Sequence, residues 1–280
     1  MIVKEKQVKD YLSASKLGAA YTINPYVGCP HACKYCYATF MKRFANHPEP
    51  WGEFLDVKRC DKPIDLRKIA GKNVFIASVT DCYNPYEAEY GITRSILEQL
   101  PPSDCYLQVS TKNKLILRDL DLLKQIRRLS VALSVNTLDE SFRADMDRGS
   151  TIRERLETLR TLREHGIYTI LFMSPIFIGI TDWRAIIETS RDFVSEYWFE
   201  DLNLRGAYKP VILQYIRDQY PERYPQYERI YLRGDRTELA VMEDEIRGYC
   251  DGHGIRYSDY FHHAEVIRKS KENRILGKNR

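Results

Sequence analysis

No apolar stretch in these 280 residues approaches the 18 or more needed to cross a bilayer, and the charged opening Met1-Ile2-Val3-Lys4-Glu5-Lys6 lacks the apolar core of a secretory signal. A soluble, cytoplasmic chain with no membrane partner is therefore expected. Cysteine is scarce and odd in number, seven in all, which argues against a disulfide framework. No second C-x2-C pair is present to complete a zinc ribbon. Neither sign of charge dominates. The 43 Lys and Arg against 39 Asp and Glu leave a net +4, short of a strongly basic nucleic-acid protein yet compatible with a polyanionic partner. Internal repeats and low-complexity segments are also missing.

What the chain does have is Asn24-Pro25-Tyr26-Val27-Gly28-Cys29-Pro30-His31-Ala32-Cys33-Lys34-Tyr35-Cys36-Tyr37, with three cysteines at C-x3-C-x2-C spacing and an aromatic residue before the third. Three thiolates on one tight loop can ligate three irons of a 4Fe-4S cube and leave the fourth open to an exchangeable ligand. An electron-transfer cluster normally takes four cysteines, and a structural zinc takes a full tetrahedron. A zinc site borrowing His31 or His47 is the competing reading. Cys60, Cys82, Cys105 and Cys250 are too scattered for a second cluster, and the plain reading of each is a small buried residue. Twenty tyrosines could stack on bases or line a groove, although packing accounts for most tyrosines.

Short apolar runs alternate with segments of helical period from Tyr21 to about Arg205, the pattern of a parallel sheet built from βα units. Six strands are predicted: Tyr21 to Ile23, Val74 to Val79, Tyr106 to Ser110, Val131 to Val135, Tyr168 to Met173 and Trp198 to Leu204. Ile152, Leu156, Leu159 and Leu162 form one helical stripe behind a Thr151/Glu154 capping box, with Gly166 closing that helix. A second stripe is Leu120, Leu123, Ile126 and Leu129. The fold class is thus α/β, an open (β/α)6 barrel with its site at the carboxyl ends of the strands. Residues 1–20 read as a lead-in, 21–205 as the core barrel and 206–280 as a C-terminal extension packing on it. That extension comprises a Tyr, Arg and Pro-rich segment from Tyr208 to Tyr231, a helix from Thr237 to Tyr249, and a basic tail from Arg268 to Arg280 after Asp259-Tyr260-Phe261-His262-His263.

The cysteine motif resembles that of the radical S-adenosylmethionine enzymes, and Cys29, Cys33, Cys36 and Tyr35 match its positions one for one. Further segments make the chain similar to the spore photoproduct lyase-like branch, including relatives labelled DNA repair photolyases. They are Ser13 to Leu17, Asn24 to Tyr37, Val79-Thr80-Asp81, Ser110-Thr111-Lys112, Ser134 to Asp139, Arg155-Leu156-Glu157 and Pro175. The resemblance implies a partial TIM-like barrel that binds a 4Fe-4S cluster and S-adenosylmethionine. It also implies reductive cleavage of S-adenosylmethionine to a 5'-deoxyadenosyl radical, and a flavodoxin- or ferredoxin-type reductant.

Tyr35, Thr80, Asp81, Lys112, Ser134 and Arg155 become the candidate cofactor-binding residues. Thr80 and Asp81, at a strand end, can accept hydrogen bonds from the methionine ammonium, unless they are simply a turn-initiating pair. Lys112 and Arg155 suit its carboxylate, against the default of a solvated charge, and Arg155 stands beside Arg153 so that the choice between them is open. Ser134, inside the apolar run Val131-Ala132-Leu133-Ser134-Val135, needs a partner, either a cofactor group or a backbone carbonyl. Asn136 is the weaker neighbour.

In spore photoproduct lyase a cysteine returns a hydrogen atom to the substrate. The matching place here is near Ser78, where there is no thiol. Cys82 and Tyr83 are the catalytic candidates in its stead, with Tyr86 behind them, on the expectation that their loop faces the reacting centre. The resemblance points to a nucleic acid or modified nucleotide as substrate, without transferring its identity. The alternatives are a peptide-modifying radical enzyme, although no cysteine-rich extension for auxiliary clusters is present, and a non-catalytic metal- or nucleic-acid-binding module.

Overall fold

The computed structural model describes residues 1–15 and 18–261. Lys16 and Leu17 of the lead-in, His262-His263 and the basic tail from Arg268 to Arg280 lie outside the described residues. Eleven strands appear among the described residues: β1 (Ile2–Gln7), β2 (Leu12–Ala14), β3 (Tyr21–Ile23), β4 (Tyr26–Val27), β5 (Phe54–Arg59), β6 (Asn73–Ile76), β7 (Tyr106–Thr111), β8 (Leu129–Ser134), β9 (Tyr168–Ile176), β10 (Glu196–Asp201) and β11 (Tyr257–Asp259).

The large sheet has the order β11-β10-β9-β8-β7-β6-β3-β2, and every pairing in it is parallel except β2 with β3. All six expected strands are present as its central members. The sheet does not close among the described residues, so the architecture is an open, partial TIM-like barrel. Alternation gives each strand two faces. Leu133, Leu171 and Tyr197 are register partners, all buried against the helical layer, whereas their neighbours Ser134, Phe172, Trp198 and Ser258 form a half-buried row on the inner face.

The strand expected from Trp198 to Leu204 runs Glu196–Asp201, and three further expectations need correction. The strand expected to reach Val79 stops at Ile76, because Ala77 takes a positive φ of 74° that a ladder cannot continue. The stripe through Leu120, Leu123, Ile126 and Leu129 is no single helix. Its α-helical part covers only Leu120–Leu123, and Leu129 opens β8. The helix expected from Thr237 runs Thr237–Gly252 and delivers β11 onto β10, so the segment beyond residue 205 adds a strand to the same sheet as well as packing beside it.

β1, β5 and β4 make a separate three-stranded sheet, which was not anticipated because β1 reads as charged and exposed, Ile-Val-Lys-Glu-Lys-Gln. Its function is positional. β4 leads directly into Gly28 and Cys29, and its pairing with β5 anchors the cysteine loop at its base.

The helix Ile152–Glu164 forms as expected, with its Thr151/Glu154 capping box intact and Gly166 in the left-handed region at φ 79°. Ile152, Leu159 and Leu162 are buried, and the helix packs on β9. Thr151→Ala removes the acceptor for the Glu154 amide. It is expected to cost about 1 kcal/mol, read as a lower midpoint in urea denaturation of the metal-free protein.

Candidate active site

The cysteine loop is held on three sides. Gly28 has φ 90°, and a Cβ there would lie 2.3 Å from the Phe54 carbonyl oxygen, so only glycine fits at the root of the loop. Gly52 approaches so closely that its Cβ would meet the Ala32 Cβ at 2.6 Å. On the third side the Lys34 amide donates to the Met146 carbonyl at 2.9 Å and the Arg148 amide to the His31 carbonyl at 2.8 Å. Thr80 donates its hydroxyl to the Gly28 carbonyl at 2.7 Å, which ties the loop to the segment after β6.

Cys29, Cys33 and Cys36 are free thiols, Cys29 buried and the other two half-buried. Burial pushes all three thiols up; Cys36 raises Cys29, and Cys36 and Cys29 raise Cys33, while the Lys112 ammonium draws Cys33 and Cys36 down. Among the described residues no three His, Cys, Asp or Glu side chains are drawn together around a single metal ion; three neighbouring thiols on one loop, beside a cation and with no fourth cysteine there, suit a metal–sulfur cluster that takes them as thiolates. Of the imidazoles of the zinc reading, His47 is engaged at both ring nitrogens, whereas His31 is buried with neither nitrogen hydrogen-bonded among the described residues. His47 is bracketed by Asp56 Oδ1 at 2.9 Å and Glu49 Oε2 at 3.0 Å, and His31 Nδ1 faces Asp81 Oδ2 at 3.2 Å.

Beside the thiols lies a buried polar group that joins several segments. Tyr35 donates its hydroxyl to Asp147 Oδ2 at 3.1 Å, and the Lys112 ammonium sits 5.7 Å from the centre of the Tyr35 ring. Arg155, 1% exposed, pairs with Asp147 and also donates to the Ser150 carbonyl at 2.8 Å and the Ser134 carbonyl at 3.1 Å. Of the two arginines, Arg155 is therefore the one at the site; Arg153 is 86% exposed and pairs with Glu157. Arg155 is engaged by protein acceptors, which makes it a support for the pocket. Ser134 ends β8 with its carbonyl taken by Arg155 and its side chain half-buried on the inner face.

Asp81 does not present a free carboxylate. Its oxygens accept from the Thr111 hydroxyl at 2.7 Å, the Lys112 amide at 2.8 Å and the Tyr83 amide at 2.9 Å, besides facing His31. Burial alone would raise its pKa, but the His31 ring, Thr111 and the Lys112 amide outweigh that and hold Asp81 at about 2. Asp81 thus fastens the β6 and β7 ends to the cysteine loop.

Cys82 and Tyr83 are corrected. Both are 0% exposed and belong to the hydrophobic core, Cys82 with its thiol 3.9 Å from the Ser110 carbonyl. The Asp81-centred turn points them inward, so neither has the exposure to a reacting centre on which its assignment rested. Ser78 is buried too, and hydrogen-bonds Asn24 at 2.9 Å. Tyr86 is half-buried against the core, and Asn136 donates to the Pro175 carbonyl at 3.0 Å.

Two groups were not anticipated. Asp147 follows no recognisable motif, and its importance arises only from the long-range approach of Tyr35 and Arg155. The inner face carries an aromatic cluster in which Phe172, Trp198 and Tyr260 meet edge to face, with centroids 5.6 to 6.3 Å apart. Trp198 donates to Glu196 at 2.6 Å, and Ser174 to Glu200 at 2.5 Å. The alternation of β10 could have revealed this face, since Glu196, Trp198 and Glu200 fall on one side of it and Tyr197, Phe199 and Asp201 on the other.

Comparison with known proteins gives a match of residues 23–189 to the family model described as the radical SAM superfamily. An uncharacterized protein of Methanocaldococcus jannaschii is 36% identical over 225 residues, covering 80% of this chain and 85% of its own. Among solved structures, spore photoproduct lyase complexed with dinucleoside spore photoproduct is similar with TM-score 0.51 at 18% identity, over 75% of this chain; this chain spans only 64% of that one. Streptococcus suis SuiB bound to S-adenosylmethionine is similar with TM-score 0.54 at 14% identity, over 85% of this chain and 49% of SuiB. Those two likenesses are of fold.

The depressed pKa of Asp81 has a consequence in acid. A carboxylate held at about 2 against an ordinary 3.8 contributes about 2 kcal/mol that is present above pH 4 and lost as the pH falls through 2. The stability gap between wild type and Asp81→Asn, measured by urea denaturation of the metal-free proteins, is expected to narrow steadily from pH 5 to pH 2.

Proposed function

The chain belongs to the radical SAM superfamily, whose members use a 4Fe-4S cluster and S-adenosylmethionine, and on that premise we propose that Cys29, Cys33 and Cys36 hold one such cluster in this enzyme. The observation that carries the reading is the grouping of these three thiols with Lys112 and the Asp147–Arg155 pair at the carboxyl ends of parallel strands. When bound, the cluster and its ligand supply the hard chemistry, one-electron cleavage of the sulfonium to methionine and a 5'-deoxyadenosyl radical that removes a hydrogen atom from substrate.

The protein's own residues bind and orient. Lys112 offers its ammonium to the methionine carboxylate. The Ser134 hydroxyl, on the inner face at the end of β8, serves a ribose or carboxylate oxygen. Thr80 and Asp81 position the cysteine loop, and Arg155 and Asp147 keep Tyr35 and the β8 end in register beside it. The core barrel is assigned to 21–205, with the segment from 206 completing the sheet edge.

For the substrate, a nucleic acid or modified nucleotide is favoured. Flat rings can stack on the Phe172, Trp198 and Tyr260 cluster. Just after the third cysteine, Tyr37, Phe40 and Phe44 are exposed, with the Arg43 guanidinium over both phenylalanines, the pairing of aromatic and basic groups that nucleic-acid strands use. The reductant is assigned as a small flavodoxin- or ferredoxin-type protein and the compartment as the cytoplasm. No helix among the described residues is long and apolar enough to cross a membrane.

Anaerobically reconstituted wild type is expected to pass deuterium from a suitably deuterated nucleotide substrate to 5'-deoxyadenosine. Cys33→Ala should neither form the cluster nor cleave S-adenosylmethionine; full cleavage activity in that variant would overturn the ligand assignment. Lys112→Ala is expected to keep the brown cluster but weaken S-adenosylmethionine binding roughly 10- to 150-fold by calorimetry, the loss of one charge-assisted hydrogen bond. Unchanged affinity would return Lys112 to the protein surface.

A further inference from the structure

The indole nitrogen of Trp51 is buried and has no hydrogen-bond partner among the described residues. A buried N–H left unpaired costs about 1–3 kcal/mol, so its position calls for a physical reason. Trp51 lies in the turn before β5, its ring edge-on to Phe54 at 5.8 Å and 87°. On one side of that turn Gly52 is pressed against Ala32, between the first two cysteines, and on the other the Phe54 carbonyl underlies Gly28. The turn that carries the indole is thereby pressed against the cysteine loop. The group it lies beside is the Cys36 thiol, which the indole N–H and the amides of Ala38 and Thr39 draw down against the effect of burial, although the indole closes no hydrogen bond on the neutral sulfur. Trp51 is the side-chain donor of that set.

A neutral thiol accepts a hydrogen bond weakly, but a thiolate bound to iron accepts one well. The orphaned donor therefore makes sense as a group prepared for the loaded state. We infer that Trp51 donates its indole N–H to the Cys36 sulfur of the bound cluster and thereby raises the cluster's reduction potential. One-electron reduction by an external low-potential donor adds negative charge that spreads onto the ligating sulfurs. A dipole aimed at one of those sulfurs stabilises the reduced form more than the oxidised form, and hydrogen bonds to sulfur are among the levers that set such potentials. No bond is made or broken in this step. Trp51 acts through Cys36 and is a positioning residue for the electron, out of reach of substrate chemistry. The inference rests on the assignment of Cys36 as a ligand.

The test is a mediated potentiometric titration with dithionite of anaerobically reconstituted wild type, Trp51→Phe and Trp51→His, followed by the electron paramagnetic resonance signal of the reduced cluster. Phenylalanine keeps a ring against Phe54 and removes the donor, whereas histidine restores an N–H. The expected result is a more negative midpoint for Trp51→Phe and partial recovery for Trp51→His. Equal midpoints for wild type and a fully iron-loaded Trp51→Phe would overturn the inference. Wild type that binds no iron would instead overturn the ligand assignment beneath it.

Should Trp51→Phe fail to load, wild type labelled with 15N-tryptophan decides the matter. The Trp51 indole resonance, assigned by its disappearance in metal-free Trp51→Phe, is expected to become hyperfine-shifted and protected from solvent exchange when the cluster is bound. A resonance that stays unshifted on loading would overturn the inference.

Discussion

The pairing of Arg155 with Asp147 is the contact on which the site's arrangement depends. Both side chains are 1% exposed, and a buried guanidinium or carboxylate without its partner is strongly destabilising, by about 3–5 kcal/mol. That constraint propagates outward. Asp147 takes the Tyr35 hydroxyl and so fixes the cysteine loop, while Arg155 takes the carbonyls of Ser134 and Ser150 and so fixes the end of β8 and the start of the following helix. A second carboxylate, Asp81, does the same for the ends of β6 and β7. Two acids, each taken up by several protein partners, thus set the distances between segments 35, 81, 112, 134 and 155.

Local chemistry made much of this legible. Cysteine spacing is a one-dimensional signal, and a loop with three thiols within eight residues cannot separate them far in space. Buried parallel strands are continuous apolar runs, so all six central strands were readable. Even the choice of Arg155 over Arg153 had a signal. Position 155 lies on the face of Ile152 and Leu159, three and four residues away, whereas 153 lies off it. An arginine on an apolar stripe must find a buried acid.

What was not legible depends on backbone turns and on partners distant in sequence. Alternation cannot be carried through the positive φ at Ala77, so the direction in which Cys82 and Tyr83 point was undetermined, and the turn that Asp81 gathers about itself sends them into the core. β1 shows no apolar period because only Val3 and Lys6 are half-buried and its register with β5 is set from outside. β11 spans three residues, too short for any pattern, and exists because the helix Thr237–Gly252 returns the chain to the free edge of β10. Asp147 carries no local mark.

Among the described residues the sheet ends at β2 on one side and β11 on the other, and this has a further consequence. A closed cylinder admits guests only through its mouth, and its girth limits what can enter. An incomplete cylinder has a lateral seam. A long polymer can be laid across such a trough with one residue pressed to the floor and both flanks left in solvent. The dimension that then governs selectivity is the width of a single monomer, not the bulk of the molecule that carries it.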